Sequence, residues 1–258
     1  MSATSYFLSG TAEQPGWVNL FMLGIMLLAA VIGIFFFTER AKHDPNVHSP
    51  RIAWMRAWIY YCFVILLSWT TGVFNVVVSN PLATPENLSN TNWIIYTCAG
   101  LAVVIWGYII WWPRGTLTHG RKLYVLPTLV HGVMWGVAAG LLYLSMYALI
   151  ERLQFPGIVN GFMLVGFVAI YNLNYQLGWW DIHVSPPHNI KATNNGKVAL
   201  AHNPFLIVAL SYFIIYGNAG IYVLLNALAM AASAIALRFP PFWEPDGGPV
   251  SRATAVGE

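Results

Sequence analysis

Charge is what this sequence most lacks. Asp, Glu, Lys and Arg make up 8% of its 258 residues, while hydrophobic residues make up 58%. A soluble domain carries roughly 25% charged residues, and no soluble fold of this size could hide so much apolar surface. Lipid is the solvent that suits the composition. The net charge of +3 is too small to point to nucleic acid. Cysteine is nearly absent as well: Cys62 and Cys98 both fall inside apolar runs and read as core thiols, not a disulfide framework.

Other absences remove whole classes of function. Residues 1–16 hold no Lys or Arg, so the basic region of a secretory signal is missing. No Lys or Arg lies in the middle of an apolar run, which excludes a voltage sensor. A retinal protein of the seven-helix kind needs a lysine in its last helix for the Schiff base; the lysines here are Lys42, Lys122, Lys191 and Lys197, none of them in that helix. No Asp or Glu sits near the middle of a run, so carboxylate-driven ion pumping has little support. The sequence also lacks a Gly-rich phosphate loop, a G-x-S-x-G elbow and an H-E-x-x-H pair.

What is present is a series of apolar runs. A helix needs about 20 apolar residues to cross a bilayer. Seven runs qualify: Trp17–Phe37, Ala57–Ser79, Trp93–Trp112, Leu123–Ile150, Phe155–Trp180, Lys197–Tyr216 and Ala219–Leu237. Only Gly217 and Asn218 separate the last two, but a single 40-residue helix would be about 60 Å long, so two spans fit better. The sequence thus predicts an all-α, polytopic integral membrane protein. Residues 1–16 form an outer N-terminus, 17–240 a seven-helix bundle and 241–258 a cytoplasmic tail.

Positive charge fixes the orientation. Cytoplasmic loops are enriched in Lys and Arg. Arg40, Lys42, Arg51, Arg56, Arg114, Arg121, Lys122, Lys191, Lys197, Arg238 and Arg252 fall on one side of a seven-span chain, and Arg152 alone falls on the other. The N-terminus is therefore outside and the C-terminus cytoplasmic. Tryptophans at run ends (Trp93, Trp111, Trp112, Trp179, Trp180) suit the aromatic belts of a membrane interface.

The histidines carry most of the chemistry. All seven fall toward the cytoplasmic side of the seven-span arrangement. His43, His48, His119, His183, His188 and His202 are candidate metal ligands, with Asp44 and Asp181 as carboxylates, because oxygen-activating metals such as iron combine imidazoles with carboxylates. The plain alternative is interfacial histidines bound to lipid phosphate or water. His131 and His202 lie deeper and form a candidate axial pair for haem, against the commoner outcome of two structural histidines.

The segment 171–183 is polar for a span. Asn172 and Gln176 share a helix face and either bond helices together or line a pocket for the polar end of a lipophilic molecule. Trp180 pins the next loop to the interface and joins them as a substrate-binding candidate; Asp181, His183 and His188 are the catalytic candidates. The last span is rich in small residues (Ala227, Ala231, Ala232, Ala236), which suit close packing in the bundle or against a partner protein.

These features support three readings. The first is a membrane-embedded enzyme acting on a lipophilic substrate, either as a metal-dependent oxidoreductase or as a metal-free isoprenoid cyclase or isomerase. The second is a non-catalytic pigment-, quinone- or haem-binding or anchor subunit. The third, a transporter of a neutral solute, is weakest, because no inverted repeat is visible.

Overall fold

A computed structural model describes residues 7–11, 13, 15–37, 48–79, 82–169, 180, 184–188 and 195–246, without the side chains of 27–37, 168 and 169. Those residues are all-helical, with no strand among them. In chain order the elements are α1 (Gly16–Phe37), α2 (Pro50–Thr70), α3 (Val73–Ser79), α4 (Pro85–Ser89), α5 (Thr91–Val104), α6 (Val125–Glu151), α7 (Gly157–Ala169), α8 (Asn203–Tyr216) and α9 (Ala219–Leu237). A π-helical segment, Ile105–Trp111, continues α5, and another, Val198–His202, leads into α8. Five stretches are long and apolar enough to cross a membrane: Pro50–Thr70, Thr91–Trp111, Val125–Glu151, Asn195–Tyr216 and Ala219–Leu237. By length and composition they mark a multi-pass helical membrane protein.

Local chemistry sets the boundaries. The second span begins at Pro50 rather than Ala57 because Ser49 accepts a hydrogen bond from Ile52 N and Pro50 presets the first turn. It breaks at Gly72, whose φ of 77° a side-chain-bearing residue rarely adopts, and resumes as α3. The last two spans are separate helices. Gly217 ends α8 in the left-handed conformation, and the Asn218 side chain caps α9 by accepting from Ile221 N at 3.0 Å.

α6 is the central helix: every residue from Ala138 to Ile150 is buried. Its main partner is α9, and the contact is backbone to backbone. Gly132, Gly136 and Gly140 form one stripe on α6. A Cβ added to Gly136 would stand 2.2 Å from Asn226 O and 2.5 Å from Ala227 Cα, and one on Gly132 would stand 2.6 Å from Ala231 Cα. The small-residue face of α9 is thus occupied from within the chain. Helices without a hydrophobic drive between them associate through such close packing. Cys62 and Cys98, read from sequence as core thiols, are instead exposed on the outside of the bundle; hydrophobicity alone does not separate a lipid-facing position from a core one.

The bundle has two chemically distinct ends. At the first, Arg152 closes α6. Its Nη2 donates to Leu8 O (2.8 Å), Thr11 O (2.7 Å) and Thr11 Oγ1 (2.6 Å), and Nη1 stands 3.6 Å from Glu13. Phe7 is buried there against Phe213 and Tyr147. The second end holds Arg121. α2 and α6 run side by side from the Arg121 end to the Arg152 end, with Trp54 and Tyr61 beside His131 and Thr71 beside Ser145. α5 and α8 are antiparallel, since Tyr108 meets His202 and Tyr96 meets Tyr216.

Gly136→Ala must force α6 and α9 apart. It is expected to cost about 3 kcal/mol in detergent unfolding, whereas Gly24→Ala, with nothing within 4 Å of the added carbon, is expected to be neutral or stabilising. Equal effects at the two positions would refute the close contact.

Candidate functional site

The Arg121 end is built from three pieces of chain distant in sequence: the 112–124 loop, residues 184–188 and the segment after α9. Arg121 joins them. Its guanidinium is buried and donates to Leu237 O (3.1 and 2.9 Å), Pro187 O (3.1 Å) and Leu117 O (3.0 Å). Arg238 returns a bond to Arg121 O (2.8 Å), and Leu117 N donates to His188 O (2.7 Å). Leu237 O ends α9, so the cation also sits at the negative end of that helix dipole. Burial first, then Arg238, brings the Arg121 pKa down to about 10, so the group stays charged at neutral pH.

Three of the sequence-predicted metal ligands gather about this cation. The imidazoles of His48 and His119 both feel the Arg121 charge, and His188 adjoins Pro187, one of its acceptors. Nδ1 of His188 shares a hydrogen bond of 2.8 Å with Pro186 O. No group of three His, Cys, Asp or Glu among the described residues could hold a metal ion. A guanidinium in the midst of the imidazoles also opposes a second cation. His43, Asp44, Asn172, Gln176, Asp181 and His183 lie outside the described residues.

Beneath this cap is an aromatic shell around His131. α6 begins at Val125, so His131 lies about 9 Å along the helix. Its ring is fully buried. Phe239 stacks on it with centroids 3.7 Å apart, Trp54 stands at 4.8 Å, Tyr61 at 6.0 Å and Trp180 at 6.2 Å. Trp180 in turn stacks on Trp135 at 5.1 Å and meets Tyr60 at 5.5 Å. The sequence places Trp180 at an interface; the structure buries it in this shell. The tail closes the shell: Thr128 Oγ1 donates to Phe239 O (3.0 Å), Trp54 Nε1 to Pro240 O (2.8 Å), and Tyr124 and Ser49 bond Glu244 and Asp246. Among the described residues, both ring nitrogens of His131 and Nε1 of Trp180 find no hydrogen-bond partner.

A second cluster lies between α5 and α8, where the two π-helical segments run side by side. Such segments are frequent at functional sites. Gly107 packs on Ala201, and Tyr108 Oη shares a 2.8 Å hydrogen bond with His202 Nδ1. Lys197 is buried beside it, its ammonium 5.3 Å from the Trp112 ring centre and bonded to Thr116 Oγ1. His131 and His202, paired in the sequence reading, belong to these two different clusters.

Sequence reasoning missed Arg121 and Lys197 as buried groups and treated them as topology markers. It also missed the glycine stripe on α6, although Gly132, Gly136 and Gly140 recur at the four-residue spacing of close-packed membrane helices. The chain matches no known protein family, no curated protein and no solved structure.

His48 gives a pH signature. Burial first and Arg121 second push its pKa down to about 4, with Asp246 opposing, and its Nε2 has no partner among the described residues. The folded state therefore resists the proton that the unfolded chain takes up near pH 6.5. Stability is expected to fall as pH drops from 6.5 toward 4, by at most about 3 kcal/mol, and His48→Gln is expected to flatten that slope. An unchanged slope in the variant would remove His48 as the cause.

Proposed function

We propose that this chain crosses the membrane seven times, N-terminus outside and C-terminus cytoplasmic, and that its Arg121 end is the working face of an enzyme acting on a lipophilic substrate. Two contacts favour seven crossings over five. Residues 7–11 sit at the Arg152 end, whereas Ser49 bonds Asp246 at the Arg121 end, so the intervening α1 spans the bundle. α7 starts just after Arg152, and residues 184–188 are back beside Arg121. Charge among the described residues supports the orientation: Arg114, Arg121, Lys122, Lys197 and Arg238 lie at one end, and Arg152 stands at the other.

The observation that carries the functional half is the His131 shell. An unsatisfied polar group in a membrane interior costs several kcal/mol, and three such atoms are gathered here in His131 and Trp180. A bound lipophilic molecule with one polar group would satisfy them. The Arg121 guanidinium among His48, His119 and His188 makes a metal-free acid–base reaction, of the cyclase or isomerase type, fit the described residues better than a metal-dependent oxidoreductase. In that reading Asp181, His183 or His188 donates the proton, with Asn172 and Gln176 orienting the substrate.

Topology is tested by impermeant maleimide labelling. Glu13→Cys is expected to react in intact cells and Arg114→Cys only after permeabilisation; the reverse pattern would overturn the orientation. Function is tested on protein purified in mild detergent, by organic extraction with mass spectrometry and by elemental analysis. An apolar compound near one per chain is the expected result. Iron or another transition metal at one or two per chain, lost in His183→Ala with His188→Ala, would favour the oxidoreductase. A Soret band would favour haem. Neither metal nor compound, with a copurifying protein, would favour the anchor subunit.

A further inference from the structure

We infer that the His131 shell binds a neutral molecule through a single hydroxyl group: a lipophilic alcohol or phenol. The inference rests on the lipophilic-substrate reading above and names the chemistry of that substrate's polar end.

The three unpartnered atoms define what the ligand must supply. A neutral imidazole has one donor nitrogen and one acceptor nitrogen, and an indole nitrogen only donates. The shell therefore presents one lone pair, on His131, and two N–H groups, one on His131 and one on Trp180. A carbonyl or ether oxygen only accepts, so it leaves the imidazole lone pair unmet. A hydroxyl donates once and accepts twice, so one oxygen can donate to the imidazole and accept from the indole. The two rings are close enough to share it, with centroids 6.2 Å apart. The remaining imidazole N–H has an aromatic face available, since Trp54 stands T-shaped to the ring at 4.8 Å.

The surroundings fix the rest. The rings about His131 and Trp180 are those of Trp54, Tyr60, Tyr61, Trp135 and Phe239, none of them charged. A carboxylate or phosphate would be desolvated there without a counter-ion, at a cost that excludes it. Trp54 Nε1 and Thr128 Oγ1, in the same layer, find backbone carbonyls; single unpartnered atoms also occur elsewhere among the described residues, at Trp93, Trp112 and Ser233, but His131 leaves both ring nitrogens unmet with Trp180 beside it. Buried polar groups are partnered in the great majority of cases, and three orphans in one shell, two of them on one ring, point to a ligand.

The test uses full-length protein in lipid nanodiscs and tritiated farnesol, with empty nanodiscs as the blank. Saturable binding of about one farnesol per chain is expected. Farnesyl methyl ether, which cannot donate, is expected to compete at least tenfold less well. His131→Phe keeps the ring and deletes both nitrogens, and Trp180→Phe deletes the indole N–H; each is expected to weaken farnesol about tenfold. Far-ultraviolet circular dichroism and the melting curve of each variant check that it folds. If the ether competes equally and both folded variants bind as the parent does, the inference is overturned while the lipophilic-substrate reading stands. No saturable binding to the parent protein overturns it too, and the extraction described above then decides the wider reading independently.

Discussion

The close approach of α6 and α9 is the constraint on which the rest depends. Three glycines on one helix face let the backbone of a second helix lie against it, and a single methyl group at Gly136 would collide with Asn226 O. That contact fixes where the C-terminal end of α9 emerges. Because α9 ends beside the start of α6, the segment after it folds back over the bundle, and Phe239 enters the shell on His131. Shifting α9 outward would withdraw Leu237 from Arg121 and Phe239 from His131 together. The packing inside the membrane and the chemistry at its edge are thus one arrangement.

Electrostatics divides the ends of the bundle by task. Arg152 is used up in a clasp on residues 8–13, with Glu13 beside it in the one ion pair among the described residues. Arg121 is neutralised by carbonyl dipoles, not by a carboxylate. A cation held this way organises loops without removing their positive potential, which together with burial lowers the proton affinity of His48 and His119. The uncharged shell beneath suits an apolar body with a weakly polar tip.

Much of the fold was legible in the sequence. Apolar runs located the five long apolar helices because lipid demands about 20 apolar residues per crossing. The Gly217-Asn218 turn was readable because left-handed backbone and helix capping have strong residue preferences. The site was far less legible. Arg121 reaches carbonyls 66 and 116 positions away, and no local pattern encodes such partners. Trp180 was placed at a membrane interface by its position at the end of a run; only the packing of α2 against α6 shows that it lies inside. Cys62 and Cys98 failed for a related reason, since lipid-facing and core-facing positions are both apolar.

What meets the nitrogens of His131 and Trp180 decides whether this end of the bundle holds a ligand. The most direct measurement is a density map of the protein in lipid nanodiscs at a resolution that resolves side chains. An elongated non-protein feature ending within hydrogen-bond distance of both rings is the expected result. A side chain of the protein itself filling that space and bonding the imidazole would contradict it, and would leave His131 as a structural residue of the bundle.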